Sequence, residues 1–527
     1  MSSNSSPTGA GSPQSASMRD WIAVSAGMIG AFMAILNIQI TNASLLDIEG
    51  GIGTGIDNGA WISTSYLIGE IVVIPLTAYF SDVFSFRRYI IVSTLLFALF
   101  STACAFAHDL TTMIMLRGIQ GFAGGVLIPM AFTMVLTKLP KQQQPFGIAM
   151  FALSATFAPA IGPTIGGYLT ENYGWQTIFF VNVIPSIIMV IALALTLERT
   201  PMRLGLLREG DWAGIGTMAI GLSALQTVLE QGNQDDWFSS PVIVKLSIVA
   251  VVFLAAFILI ELVVEKPLVN LRLLKQRNFG IGVAANMLVG VALFGIVYIL
   301  PEYLGEVQGY NAEQIGKVLA WTGLPQLLVI PLVPLLMKRF DARYIAFVGI
   351  SVFAISCFMN TTLSLNSASD QFFFPNIVRA IGQALVLTPI TAIITSGIAP
   401  GDAAAASGLS NMLRNLGGAV GTAMLSTILT KREQFHSNII GQSVDIGRPE
   451  VRQRIGELTD YFISRGVSDP ALATQKAIVA VGQIVKRQAL IMGFSDTFAV
   501  VGVSLAVAAI AVLLTKRTAP GGNAAAH

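Results

Sequence analysis

From its first apolar run onward, the chain alternates hydrophobic stretches of about 20 residues with short polar or charged turns. A helix needs about 20 apolar residues to cross ~30 Å of hydrocarbon. Fourteen segments meet that length: 21–42, 59–80, 89–107, 112–137, 146–170, 177–197, 212–230, 242–263, 279–304, 315–337, 343–362, 372–397, 403–429 and 490–514. The thirteenth, rich in Ala and Gly, and the seventh, which ends at Glu230, carry the weakest apolar signal. The pattern predicts an all-α membrane protein with 14 transmembrane helices.

Only 11% of the 527 residues are charged, against about 25% in average soluble proteins. That excludes a soluble enzyme, and the net charge of +2 gives no signal for nucleic acid. Cys104 and Cys357 sit inside apolar runs and read as packing residues rather than a disulfide or metal pair. The three histidines have no ligand-spaced companions, so neither a metal nor a cofactor is expected.

Lys and Arg are retained on the cytoplasmic side of a membrane. With the N-terminus inside, 17 of them fall in cytoplasmic segments, at Arg19, Arg87–Arg88, Lys138–Lys141, 199–208, 266–277, 338–343 and 516–517, and none in the six short outer loops. Both termini are therefore expected in the cytoplasm. Residues 1–18 read as a disordered tail, 515–527 as a C-terminal tail, and no cleavable signal is apparent.

The chain echoes itself at an offset of 256. V-I-P-L at 73–76 returns at 329–332 and Phe84 at Phe340; a second, separately aligned echo pairs R-G-I-Q-G at 117–121 with R-A-I-G-Q at 379–383, with Pro129 and Pro389 following. The register predicts two copies of a six-helix unit, 19–200 and 271–514, with two inserted helices in 201–270. Two parallel bundles around a central cavity suit an alternating-access carrier.

Several polar groups interrupt the apolar spans. Arg117, in L-R-G-I-Q-G-F-A-G-G, must face protein, water or a counter-charge. It is either a hydrogen-bonding hub or a charge that tunes a nearby carboxylate in proton exchange. In A-P-A-I-G-P-T-I-G-G, Ala158, Gly162 and Gly166 form one smooth face, and Pro159 and Pro163 each remove a helix hydrogen bond. The turn 78–88 sets Asp82 before Arg87 and Arg88, either as an ordinary basic loop or as a gating latch.

These elements together resemble the major facilitator superfamily. R-x-x-Q-G-x-x-G-G, the turn from Asp82 to Arg88, and the antiporter motif G-P-x-x-G-G (Pro159, Gly162, Pro163, Gly166, Gly167) carry the likeness. Y-G-W-Q-T-I-F-F-V-N-V-I-P at 173–185 and S-G-L-S-N-M-L-R-N-L-G-G at 407–418 are similar to the EmrB/QacA-like drug:proton antiporter branch. The resemblance implies the major-facilitator fold and proton-coupled efflux of hydrophobic or amphipathic compounds. It also implies residence in the bacterial cytoplasmic (inner) membrane, with a periplasmic adaptor protein and an outer-membrane channel as partners. The sequence departs from the pattern in two places. Val83 and Ser85 stand where the loop motif has Arg and Gly, and Asn37 stands where the first span of this branch carries an acid, although Asn42 matches.

Asn cannot release a proton, so the coupling role moves to another acid or is absent. Glu70 lies mid-span with Tyr66 one turn earlier; Asp496, Glu230, Glu261 and Glu302 lie nearer span ends. Burial and a nearby Arg push a carboxyl's proton affinity in opposite directions. Glu70 with Arg117 is the expected coupling pair, a structural Glu70 being the alternative. Asn37, Gln39, Asn42, Tyr66, Gln120, Arg379, Gln383, Asn411 and Arg414 are the cavity or substrate candidates, though Arg379 and Gln383, one turn apart, serve equally as helix cross-links. No P-loop is present, since Gly316-Lys317 runs into Val318, and no nucleophile–base arrangement emerges. The segment 430–489 is polar with periodic apolar positions and is expected to form external amphipathic helices, a docking surface for an adaptor. A narrow metabolite exporter or importer of the same fold, and an uncoupled sensor or scaffold, remain the alternatives.

Overall fold

The computed structural model describes residues 15–517 apart from 55, 141, 265–266 and 400–401. The ends of both expected tails, 1–14 and 518–527, and two of the cytoplasmic cations, Lys141 and Lys266, lie outside the described residues. Every regular element among the described residues is helical.

Among the described residues twelve helices are long and apolar enough to cross a membrane, or thirteen when the bent pair Phe146–Pro159 and Ile161–Tyr173 is one span. They correspond to thirteen of the segments expected from the sequence. The other, 403–429, lies within helix Ala403–Ser443, which does not pass the same test. Its small and polar residues are accommodated by packing on protein: it lies against Arg277–Glu306, Pro470–Leu513 and Ile56–Phe84. Helix Pro241–Val263 is the opposite case. It turns Val242, Ile248, Val251, Val252, Leu259 and Val263 outward, as a helix facing lipid does.

Apolar side chains gather into two main cores. One is built from residues between Ala23 and Leu197. The other runs from Val269 to Val512, and takes in Met218, Leu222 and Phe257 from the inserted helices. Helix Ile56–Phe84 belongs to both: Ile62, Tyr66 and Val73 enter the first core, while Ile71, Ile74 and Leu76 enter the second. The inserted helix Trp212–Gln231 packs beside it. Gln231 donates to Thr64 (3.1 Å), and just beyond, Asn233 donates to Ser426 (2.8 Å) and Trp237 to Thr427 (3.0 Å), so this pair ties to both sides of the seam.

Proline sets the breaks. A proline cannot donate to the carbonyl four residues back and its ring crowds that carbonyl. Helices Leu110–Gly124 and Leu127–Lys138 part at 125–126, four residues before Pro129; Ser369–Ala384 and Leu387–Thr395 part at 385–386, four before Pro389. The two halves thus break at equivalent places. Helix Gln144–Tyr173 carries Pro159 and Pro163 and bends by 42°.

Small-residue faces set the close approaches. A Cβ on Gly162 would meet Gln39, and one on Gly166 would lie 2.9 Å from the Ile40 carbonyl, so this helix lies directly on Met18–Ala43. In the second half Gly417 and Gly421 do the same against Met287 and Val291 of Arg277–Glu306. Pro163 and Gly167 are buried in the first of these helices and Pro159 is half-buried.

The segment 430–489 is largely helical, as expected. Ala403–Ser443 enters it and ends at Ser443, Pro470–Leu513 begins within it, and Pro449–Ser464 lies between them, packed on Pro470–Leu513. At 41 and 44 residues the two long helices exceed the bilayer's ~30 Å core at 1.5 Å per residue. On Pro449–Ser464, Ile455, Leu458 and Phe462 are half-buried, whereas Tyr461 is exposed.

Candidate functional site

The glycines of 117–125 exist to let Ile56–Phe84 approach. A Cβ on Gly121 would strike the Tyr66 backbone, one on Gly125 would lie 2.9 Å from Glu70 Cα, and one on Gly69 would lie 2.7 Å from the Phe122 nitrogen. That contact brings Tyr66, Glu70, Arg117 and Gln120 together in the first half, all buried.

Arg117 bonds to neutral partners. It donates to Gln120 Oε1 (2.8 Å), Asn37 Oδ1 (3.2 Å) and the Ile62 carbonyl (3.4 Å), and its guanidinium lies 4.3 Å from the centre of the Tyr66 ring. Gln120 also donates to Asn37 Oδ1 (3.2 Å), and Tyr66 donates to the Ala34 carbonyl (3.4 Å). Asn37 therefore stands in the acid's place as a neutral acceptor for two donors, and its own Nδ2 has no partner. Glu70 has a buried oxygen, Oε2, without a hydrogen-bond partner. It lies within electrostatic reach of Arg117 from its own half and Arg414 from helix Ala403–Ser443.

Other expected residues fall elsewhere. Gln39 is buried against Gly162, and Asn42 is exposed, accepting from Ser63 (2.7 Å). Asn411 donates within its own helix to the Ser407 carbonyl (3.0 Å), while Arg414 is buried. Asp82 is exposed and forms no ion pair with Arg87 or Arg88; Arg203 is the cation near it. Arg87 caps the end of helix Val183–Thr196 by donating to the Ala194 carbonyl (2.6 Å), and Arg88 is exposed. The turn between them holds Ser85 at φ 74°, a conformation that favours glycine, with its hydroxyl 2.6 Å from that of Thr200.

The second half has its own polar cluster. Arg379, Gln383, Asn376 and Gln326 are all buried. Gln326 donates to Gln383 (3.0 Å) and to the Thr322 carbonyl (2.6 Å), and Asn376 donates to the Val318 carbonyl (3.1 Å). Arg379 makes no hydrogen bond or ion pair among the described residues, and both its Nε and Gln326 Oε1 are enclosed without partners. Gln326 was not singled out from the sequence, yet the offset of 256 that aligns the V-I-P-L echoes places it at the position of Glu70.

Three other candidate acids have hydrogen-bond partners, while Glu302 has an enclosed oxygen, Oε2, without one. Asp496 accepts from Arg432 (2.5 Å) and lies 2.7 Å from His436 Nε2, pinning the two long helices. Glu261 accepts from the Val269 amide (3.2 Å) and Glu230 from Gln226 (3.1 Å). Cys104 and Cys357 are buried, free and in different halves. Among the described residues no three His, Cys, Asp or Glu side chains converge as a metal site requires.

The chain is 32% identical over 497 residues to the colistin resistance protein EmrB of Acinetobacter baumannii, covering 94% of this chain and 96% of that protein. It is 31% identical to the multidrug export protein EmrB of Escherichia coli K12, covering 89% and 90%. In fold it is similar to a crystal structure of a bacterial homologue of the human lysosomal transporter Spinster, inward-facing and occupied. That superposition has a TM-score of 0.55 and 13% identity and covers 94% of this chain and 98% of the other. The family model for the Major Facilitator Superfamily matches residues 27–422. With two main cores, paired proline breaks and the glycine-packed arginine cluster, this multi-span membrane protein belongs to the Major Facilitator Superfamily.

Proposed function

We propose that the protein is a proton-coupled exporter of hydrophobic or amphipathic compounds, working by alternating access between the halves 19–200 and 271–514. The export activity rests on the relatives named for multidrug export and colistin resistance. The coupling rests on one observation: Glu70 is a buried acid on the helix shared by both cores, within electrostatic reach of Arg117 from one half and Arg414 from the other. Movement of one half past the other changes the distance from Glu70 to Arg414 while Arg117 travels with it. A carboxyl whose counter-charge comes and goes binds and releases a proton with the conformation.

The lysine and arginine distribution puts both termini in the cytoplasm of a cell whose inner membrane holds the protein. The long projecting helices and Pro449–Ser464 then extend outside, where an adaptor leading to an outer-membrane channel has a helical surface to bind. Asp82, Arg87 and Arg88 act as the cytoplasmic gating turn, and Gln120 and Asn37 hold Arg117 in place.

The test is purified protein in proteoliposomes with an imposed pH gradient. Dye moves against its own gradient when pH differs across the vesicle and stops with a protonophore. Glu70→Gln abolishes the driven component and elutes as wild type on gel filtration. Transport unchanged in Glu70→Gln rejects that assignment, and no movement of any dye in the wild type rejects the exporter.

A further inference from the structure

The offset of 256 sets Glu70 against Gln326 and Tyr66 against Thr322, and the separate echo of R-G-I-Q-G in R-A-I-G-Q pairs Arg117 with Arg379. The first half supplies its arginine with three hydrogen bonds, an aromatic face and a nearby carboxylate. The second half supplies none of these to Arg379. It is 4% exposed, its Nε is enclosed without a partner, and the residue in the acid's position is an amide. Cys357 is the titratable group within electrostatic reach of it. A guanidinium in apolar surroundings without a counter-charge is strongly disfavoured, and a neutral side chain of the same size avoids that cost.

The cluster lies one layer behind the seam. Gln326 is carried by helix Ala312–Val329, which packs directly on Gln144–Tyr173 of the other half: a Cβ on Gly316 would strike Thr164. Ala384, next to Gln383, joins Ile330 and Ala149 in a small core across the same seam. Arg379 and Gln383 lie one turn apart on one face of helix Ser369–Ala384, with Gln326 bonded to Gln383 beside them.

We propose that Arg379, with Gln383 and Gln326, forms a subsite for the acidic group of an amphiphilic substrate, a carboxylate on an apolar body. This deepens the exporter reading above and rests on it. Arg379 offers a planar fork of donors matched to a carboxylate, and the substrate supplies the negative charge that Glu70 supplies in the other half. The subsite makes export selective for acids over the matching uncharged amides.

The test is binding, so that it stands apart from transport. Full-length protein in nanodiscs is titrated with a dansyl-labelled undecanoic acid and with the same probe as its primary amide, followed by fluorescence and corrected with empty nanodiscs. Wild type binds the acid at least about tenfold more tightly than the amide, some 1.4 kcal/mol. Arg379→Gln brings the ratio to near one, and Arg379→Lys, which keeps the charge without the fork, keeps part of it. Gln326→Glu leaves Arg379 in place but supplies an internal carboxylate, and also brings the ratio to near one. An equal affinity for acid and amide in wild type, or a ratio unchanged by Gln326→Glu or by a folded Arg379→Gln, overturns the subsite. Dye movement by the wild type in the pH-gradient assay reports separately on the exporter reading.

Discussion

The two halves share a helical plan but differ in how they treat a buried arginine. Arg117 sits among acceptors from three helical segments, with the Glu70 carboxylate close by; Arg379 sits among groups already bonded to one another. The same register position carries an acid in one half and an amide in the other. Duplicated architecture thus leaves room for divided labour: one half equipped to hold a proton, the other with an unanswered positive charge.

The largest effect expected from breaking this contrast is on transport. Glu70→Gln makes the first half resemble the second, and driven dye movement falls to the level of empty vesicles while passive binding persists. The next effect is on stability. Arg117→Met strips hydrogen bonds from Asn37 and Gln120 and costs about 3 kcal/mol, measured as a loss of thermal stability in detergent. Arg379→Met removes an unpartnered charge and leaves stability equal or higher. If both substitutions lower stability alike, Arg379 has partners that the contrast denies it.

Packing gives a smaller, signed pair. Gly121→Ala drives a methyl group into the Tyr66 backbone and costs about 2 kcal/mol. Gly118→Ala, with nothing nearer than the Ser65 carbonyl at 3.7 Å, is neutral or gains up to about 1 kcal/mol of helix propensity. Equal losses at the two sites would mean that helix approach does not depend on the Gly121 contact.

The smallest effect lies in the two equivalent turns. In the second half Asp341 caps its helix and pairs with Arg343 (3.1 Å) at ordinary backbone angles. In the first half Ser85 occupies a glycine conformation, so Ser85→Gly stabilises by about 1 kcal/mol less what the Thr200 contact contributes. Chemical denaturation of the two proteins side by side measures it.

Much of this was visible in the chain itself. Apolar run length located thirteen spans because a bilayer imposes a minimum length on any helix that crosses it. The small-residue spacing of Gly162 and Gly166 announced a close helix contact, and the echoes announced the repeat. The helix at 403–429 was harder, since a span surrounded by protein has no need to be apolar. The segment 430–489 continues the helices on either side of it, because polarity marks the exit from lipid, not the end of a helix. Asn42 and Gln39 looked like cavity residues on their helix face, but whether a polar side chain meets a cavity, a neighbouring helix or water depends on what packs there.

The linear order of residues determined the class, the spans, the repeat and the places where proline interrupts a helix, because each follows from local chemistry along one strand of backbone. The tertiary structure alone decided that Glu70 lies within electrostatic reach of arginines from both halves, that Asn37 accepts from Arg117 and Gln120, and that Arg379 has no hydrogen-bond partner among the described residues. Those facts concern side chains from helices far apart in sequence, and a buried charge takes its character from whatever the packing of several helices brings within reach.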